Sequence, residues 1–271
     1  MKTTANIFTF SRSTSAVLAI ASIFSVAGFT WPFFFIGEEL PQTQMFFWLA
    51  VAASFVVVVL QISHQHLDAK SVALLGVLSA LIAALRPLGA GAVGIEPMWF
   101  VLILSARVFG PSFGFLLGTL SMLLSAILTG GIGPWVAYQS FAAGWIGLGV
   151  ALIPRMVRGK SEIFILALYG VLAAEFFGIA MDLQFWPWAL GADTQLSYLA
   201  GAPISENLSR FFSYHFLSAM AWDIPRAVFT ASLIAIAGKP ILQTLRRAHT
   251  RAAFLTPIEF IEHVKVQKAA R

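Results

Sequence analysis

The sequence predicts an all-α integral membrane protein with about eight transmembrane helices. Composition is the first reason: 59% of the 271 residues are hydrophobic and 11% are charged, with a mean hydropathy of +0.84. An ordinary soluble domain carries about 25% charged residues. Run length is the second. Apolar runs of about 18–21 residues recur along the chain, and such a run spans a hydrocarbon layer about 30 Å thick. The third is the placement of Lys and Arg, which gather between the runs. Backbone polar groups find no water in lipid, so each run reads as a helix that closes its own hydrogen bonds.

Residues 1–15 are short, polar and basic, and helix one covers about 16–36, ending on Trp31, Pro32 and three Phe. Tryptophan favours the interface, so this end meets a membrane face. A basic start and an apolar run also open a signal peptide, but no small-residue cleavage site follows, and the run reads as a retained helix. Glu38, Glu39 and Pro41 form a loop, and helix two covers about 44–63 around FVVVV. His64, His66, Asp68 and Lys70 lead into helix three, about 70–86. From Arg86 to Pro154 lie three apolar runs, at about 97–109, 112–129 and 134–153, with charge only at Glu96 and Arg107 between them. The 97–109 run is short for a bilayer and is expected to start earlier, near Gly91, or to tilt. Glycine clusters, FGPSFG and TGGIG, bound the middle run. Arg155, Arg158 and Lys160 precede helix seven, about 162–181. A long segment, 182–211, carries Trp186, Pro187, Trp188, Asp193, Pro203, Asn207 and Arg210, and is expected to act as a lid over a site. Helix eight covers about 212–237, and a basic tail follows. The organisation is thus a two-helix hairpin over 1–69, a six-helix core over 70–240 and a basic cytoplasmic tail over 241–271.

Eight spans return both termini to one side. With the N-terminus in the cytoplasm, 14 of the 17 Lys and Arg fall inside, all but Arg86, Arg210 and Arg226. The positive-inside rule therefore predicts a multi-pass protein of the plasma or inner membrane with both termini cytoplasmic. The pI near 9.8 follows from these loops, and no nucleic-acid partner is expected. The absence of cysteine excludes a disulfide framework and a thiolate metal site.

Few motifs carry chemistry. Gly159-Lys160-Ser161 matches the end of a phosphate-binding loop, but Pro154 stands where that loop needs its first glycine. His64 and His66 are two apart, which does not put both rings on one helical face, and a solvated loop is the simpler reading. No metal site and no cofactor are expected. Gly76, Ala80 and Ala84 form a small-residue stripe on helix three, suited to close helix approach either within the chain or to a membrane partner. Ionisable residues near the outer helix halves are a sharper signal, because charge in the membrane pairs or lines a cavity. These are Arg86, Glu96, Glu175, Asp182, Glu206, Arg210, Asp223 and Arg226, with Asp223 and Arg226 spaced to pair on one face. Trp99, Trp135, Tyr138, Trp186, Trp188 and Trp222 crowd the same level, either as an interfacial belt or as the wall of a pocket for a flat organic ligand. The expected substrate-binding set is Glu96, Trp99, Trp135, Tyr138, Gln139, Asp182, Trp186, Trp188, Asn207 and Arg210; no catalytic residue is expected.

GIEP, R-x-FG-x-x-FGF-x-LG, LTGGIGPW-x-x-x-Q, GWIGLG ahead of Pro154, and then LYG, FWPW, GAP-x-x-EN-x-x-RF and WD-x-x-RA form a combined pattern over about 70–247. This pattern resembles the substrate-specific S components of energy-coupling factor (ECF) transporters, and within them the actinobacterial-type members proposed for cobalamin or a similar micronutrient. The resemblance implies a six-helix membrane core with cytoplasmic termini and a vitamin site under the outer loops. It implies a scaffold T component and two ATP-binding cassette subunits as partners, with ATP hydrolysis confined to those chains. It also implies that Ala80 and Ala84, with Gly76 one turn earlier, dock on the scaffold. Loaded S components of this kind are expected to topple in the bilayer during transport.

The leading expectation is therefore a vitamin-capturing subunit, with a cobalamin-like ligand as the first guess. A proton- or sodium-coupled carrier working through Glu175, Asp182 or Asp223 is the alternative, although the chain halves show no internal symmetry. A membrane-embedded enzyme ranks third, because His215 stands alone in its helix in the sequence.

Overall fold

A computed structural model of the chain describes residues 6–34, 67–89, 94–190 and 194–251, with most of the helical stretch 49–60. The described residues contain helices and turns and no strand. In order the helices are α1 (Arg12–Thr30), α2 (Val51–Leu60), α3 (Ala69–Leu85), α4 (Met98–Phe109), α5 (Pro111–Thr129), α6 (Trp135–Gly149), α7 (Lys160–Ala189), α8 (Ile204–Tyr214) and α9 (Met220–Arg251). Among the described residues, six stretches are long and apolar enough to cross a membrane. The loop with Glu38 and Glu39, the pair His64 and His66, Asp193, and the chain beyond Arg251 lie outside the described residues.

Local signals set the helix starts. The Ser11 hydroxyl caps α1 by accepting from the Thr14 N–H at 3.1 Å. Asp68 caps α3 by accepting from the Ser71 N–H at 2.5 Å. Such caps satisfy N–H groups that the first helical turn leaves free. Helix α1 then ends in a 3-10 turn over Trp31–Phe33, short of the expected 36.

Three departures from the expected boundaries matter for function. Helix α4 does not reach back to Gly91: Gly94 to Pro97 is turn and irregular chain, and the helix has 12 residues. At 1.5 Å per residue it climbs about 18 Å, too little to cross the bilayer. Ten of its residues are buried, so it runs up the interior among α3, α5, α6, α7 and α9. Helix α7 continues through Asp182, Trp186 and Pro187 to Ala189, 30 residues in all. Asn207 and Arg210 belong to α8, so both ends of the expected lid, 182–189 and 204–211, are helix. A π-helical turn, His215–Ala219, joins α8 to α9, and the whole forms one helical stretch, Ile204–Thr250. Helix α9 passes the expected end at 237 and buries Leu242.

Hairpin α5–α6 is the tightest packed pair. A Cβ on Gly114 would meet the Gly147 carbonyl, and one on Gly118 would meet the carbonyl of Ala143. Small residues let the two backbones touch, which is how helices associate where lipid removes the hydrophobic drive between them. Helix α1 lies along α6 and α7: Ser22 accepts from Trp145 Nε1 at 3.0 Å, and the Gly28 carbonyl accepts from the Tyr138 hydroxyl at 3.2 Å. One end of the bundle gathers Trp31, Trp135, Trp186 and Trp188; the other gathers Arg107, Arg155, Arg158 and Arg246.

Candidate ligand-binding site

The short α4 leaves its first turn inside the bundle, and Glu96 with it. Glu96 accepts from Trp99 Nε1 at 2.5 Å and from Arg226 Nε and Nη2 at 3.2 and 3.4 Å. Arg226 also donates to Asp223, the pairing expected from their spacing on one face of α9. The Phe177 ring lies 5.4 Å from the guanidinium carbon, and Trp99 packs on Phe177 at 4.5 Å. Buried charge persists only when paired and hydrogen-bonded, and Arg226 fills that role for two carboxylates at once. Gly178 on α7 makes the space: a Cβ there would overlap the Asp223 carboxylate.

His215 does not stand alone, contrary to the sequence expectation. The π-turn directs it to Asp182, with Nδ1 and the carboxylate 2.7 Å apart, and to Asp223 at 3.9 Å. Glu175 joins them, with one ligand-type atom each of Glu175, His215 and Asp223 within 4.8 Å of the others. The second Asp223 oxygen is buried and makes no hydrogen bond among the described residues. This acid–histidine group is the described arrangement best suited to a cation or a proton. Sequence reasoning missed His215 because the contact depends on a π-turn that shifts the register of the helix.

At the Trp-rich end the rings pack on one another. Trp31 is 2% exposed and lies 6.0 Å from Trp188 and 5.7 Å from Tyr198, ring centre to ring centre. Phe33 meets Trp186 and Phe211 at 6.2 and 5.7 Å. Trp186 is fully buried and donates to the Leu196 carbonyl at 2.7 Å. Burial among these rings pushes the Tyr198 hydroxyl above its ordinary pKa and leaves its oxygen without a hydrogen bond among the described residues. Helix α1 therefore closes over the ring cluster, a role no sequence motif announced.

The remaining expected residues have separate surroundings. Tyr138 packs edge-on against Phe29 at 4.7 Å, and Gln139 accepts from Arg86 Nη2 at 2.8 Å. Trp135 is 43% exposed and donates to the Gly131 carbonyl at 3.2 Å. Asn207 holds the connecting loop through the Leu199 N–H and carbonyl, at 3.0 and 2.9 Å. Arg210 pairs with Glu206 and donates to the Thr194 carbonyl at 3.1 Å. Glu96 and Trp99 thus touch each other, and Trp186 and Trp188 share the ring cluster, but all ten do not converge on one contact group. On α3, Gly76, Ala80 and Ala84 face outward, and a Cβ on Gly76 would meet nothing within 4 Å. The stripe is not used for packing inside the described chain.

Helices α3 to α9 surround this buried polar network. The family model for the ECF-type riboflavin transporter S component matches residues 66–247, more than half of the chain. The chain belongs to this family. It is accordingly a substrate-binding membrane subunit of the ECF type, from a class of transporter components rather than enzymes. No curated protein and no solved structure matches the chain. The match covers α3 to most of α9 and does not reach α1.

Proposed function

We propose that this S component captures a flavin-type vitamin from outside the cell and passes it to a scaffold T component driven by two ATP-binding cassette subunits. The family match over 66–247 carries the reading and favours a flavin over the cobalamin-like ligand first expected. The charge distribution supports an orientation with the Trp-rich end outside and both termini in the cytoplasm. The ligand enters at that end, among Trp99, Trp135, Tyr138, Trp186 and Trp188. Aromatic rings offer a flat ring system a large contact area, and Glu96, Gln139, Asp182, Asn207 and Arg210 are the polar groups that orient it. Support comes from the buried charged network around Arg226, which lies beside the Phe177 and Trp99 rings. The exposed stripe Gly76, Ala80 and Ala84 is the scaffold contact, since nothing in the described chain covers it. The test is titration of riboflavin and cobalamin into the purified protein, read by flavin fluorescence and by retained ligand. Riboflavin should bind and cobalamin should not; the reverse order would restore the corrin reading.

One observation favours a second reading. Glu175, Asp182, His215 and Asp223 gather at bilayer depth, as in carriers coupled to protons or sodium. Uptake by the chain alone in liposomes under a proton or sodium gradient would establish it. Uptake only with ATP and partner subunits supports the S-component reading.

A further inference from the structure

At the Arg-rich end a cleft of about 350 Å³ is lined by Asn6, Arg107, Arg155, Arg158, Gly159 and Arg246. Its charges do not balance. Glu162 accepts from Arg107 at 2.8 Å and from Arg246 at 2.6 Å, so one carboxylate serves two guanidiniums. The other N–H groups of Arg107 go to the carbonyls of Ile153, Pro154 and Val157 at 2.9, 3.1 and 2.8 Å. Arg155 donates to the neutral side-chain oxygen of Asn6. Neither Arg155 nor Arg158 forms an ion pair among the described residues. Among the described residues, four guanidiniums against one carboxylate leave a surplus of three positive charges around one concavity.

We propose that this cleft binds a phosphate group. Guanidinium forks match phosphate oxygens in geometry and charge, and Arg155 and Arg158 keep N–H donors for them. The N-terminal end of α7, after Gly159, adds a favourable field without being the basis of the site. The Gly159-Lys160-Ser161 fragment that resembles half of a nucleotide loop thus borders an anion cleft without forming that loop. The cleft lies where spanning helices end, at the level of lipid headgroups. In the proposed orientation it faces the cytoplasmic leaflet, where anionic lipids concentrate. The phosphodiester of an anionic phospholipid and free phosphate share this chemistry, and the experiment separates them.

The full chain is placed in nanodiscs of phosphatidylcholine. Phosphatidylglycerol is mixed in, or inorganic phosphate is added at constant ionic strength, with oleate-containing discs as a carboxylate control. Retained lipid is read by native mass spectrometry and stability by thermal melting. The wild type should retain phosphatidylglycerol and melt higher with it, and should respond less to oleate. The variant Arg155→Gln/Arg158→Gln should retain about tenfold less or fewer still, since each charge-assisted hydrogen bond lost weakens binding. It should melt like the wild type in phosphatidylcholine alone. A rise in melting with free phosphate but not with phosphatidylglycerol identifies the free anion as the ligand. Equal responses to oleate and phosphatidylglycerol, equal retention by the variant, or no response to either phosphate source would overturn the proposal.

Discussion

Replacing Arg226 with Met tests the central network most directly. Met keeps much of the side-chain volume between Phe177 and α4, so packing is largely preserved. Two carboxylates lose their partner: Glu96, held at 3.2 and 3.4 Å, and Asp223, whose side chain is 3% exposed. Removing one member of a buried ion pair costs about 3–5 kcal/mol, because the remaining charge stays buried. At about 2–4 °C per kcal/mol for a chain of this size, melting should fall by roughly 6–20 °C. The eight tryptophans make intrinsic fluorescence a suitable melting signal in detergent or nanodiscs. A second variant isolates the cause. Arg226→Met/Asp223→Asn removes one of the stranded charges and should recover part of the loss, whereas a packing defect would not respond. A single variant that melts within about 1 °C of the wild type would refute the claim that Arg226 neutralises buried carboxylates.

Other outcomes follow from the same geometry. Ala80→Leu/Ala84→Leu should leave ligand binding by the isolated subunit intact and abolish ATP-driven uptake with partners; normal uptake would remove α3 as the docking face. Gly118→Leu pushes a side chain into the Ala143 carbonyl across the α5–α6 crossing and should destabilise by about 1–3 kcal/mol or more, read as a lower melting temperature; unchanged melting would mean the crossing is looser than described. Trp135→Ala removes an exposed ring whose indole N–H bonds only the nearby Gly131 carbonyl among the described residues, so melting should change little while flavin affinity falls by about 1–3 kcal/mol in a binding titration; unchanged affinity takes Trp135 out of the site. Trp186→Ala is a poor binding test, because a fully buried Trp costs about 3–5 kcal/mol on truncation, and lower melting is its expected result.

Hydropathy and charge placement were enough to read the class of fold, because lipid restricts a spanning chain to helices and separates apolar from charged stretches so strongly. The Asp223–Arg226 pair was legible for a local reason: three residues on one helix face is a fixed distance. Long-range partners were not legible. Glu96 meets Arg226 across 130 positions, and His215 meets Asp182 across 33 through a π-turn. Neither periodicity nor composition encodes such contacts. Helix ends were misread where aromatic and proline residues looked like loop. Pro187 sits in the last turn of α7, and the tryptophans beside it continue the helix because the ring cluster packs them there. The outward face of α3 could be judged only with the other helices in place, since a stripe of small residues suits inner and outer contacts alike.

The shortness of α4 links these features into one argument. A helix of 12 residues cannot cross the bilayer, and the GIEP turn, Gly94 to Pro97, sets Glu96 at its start. A part-buried carboxylate there pairs with a cation, which α9 supplies as Arg226. Arg226 is hydrogen-bonded to a second carboxylate, Asp223, and Asp223 needs space on α7, which Gly178 provides. Asp223 then stands beside His215, whose Nδ1 also meets the Asp182 carboxylate. Glu96 beside α4 pairs with Arg226 on α9, and Asp182 on α7 meets His215 in the turn that leads into α9, so α4, α7 and α9 are tied by charge as well as by packing. Asp182 lies one turn before Trp186 on α7, so under the proposed function a ligand at the Trp-rich end sits next to this network.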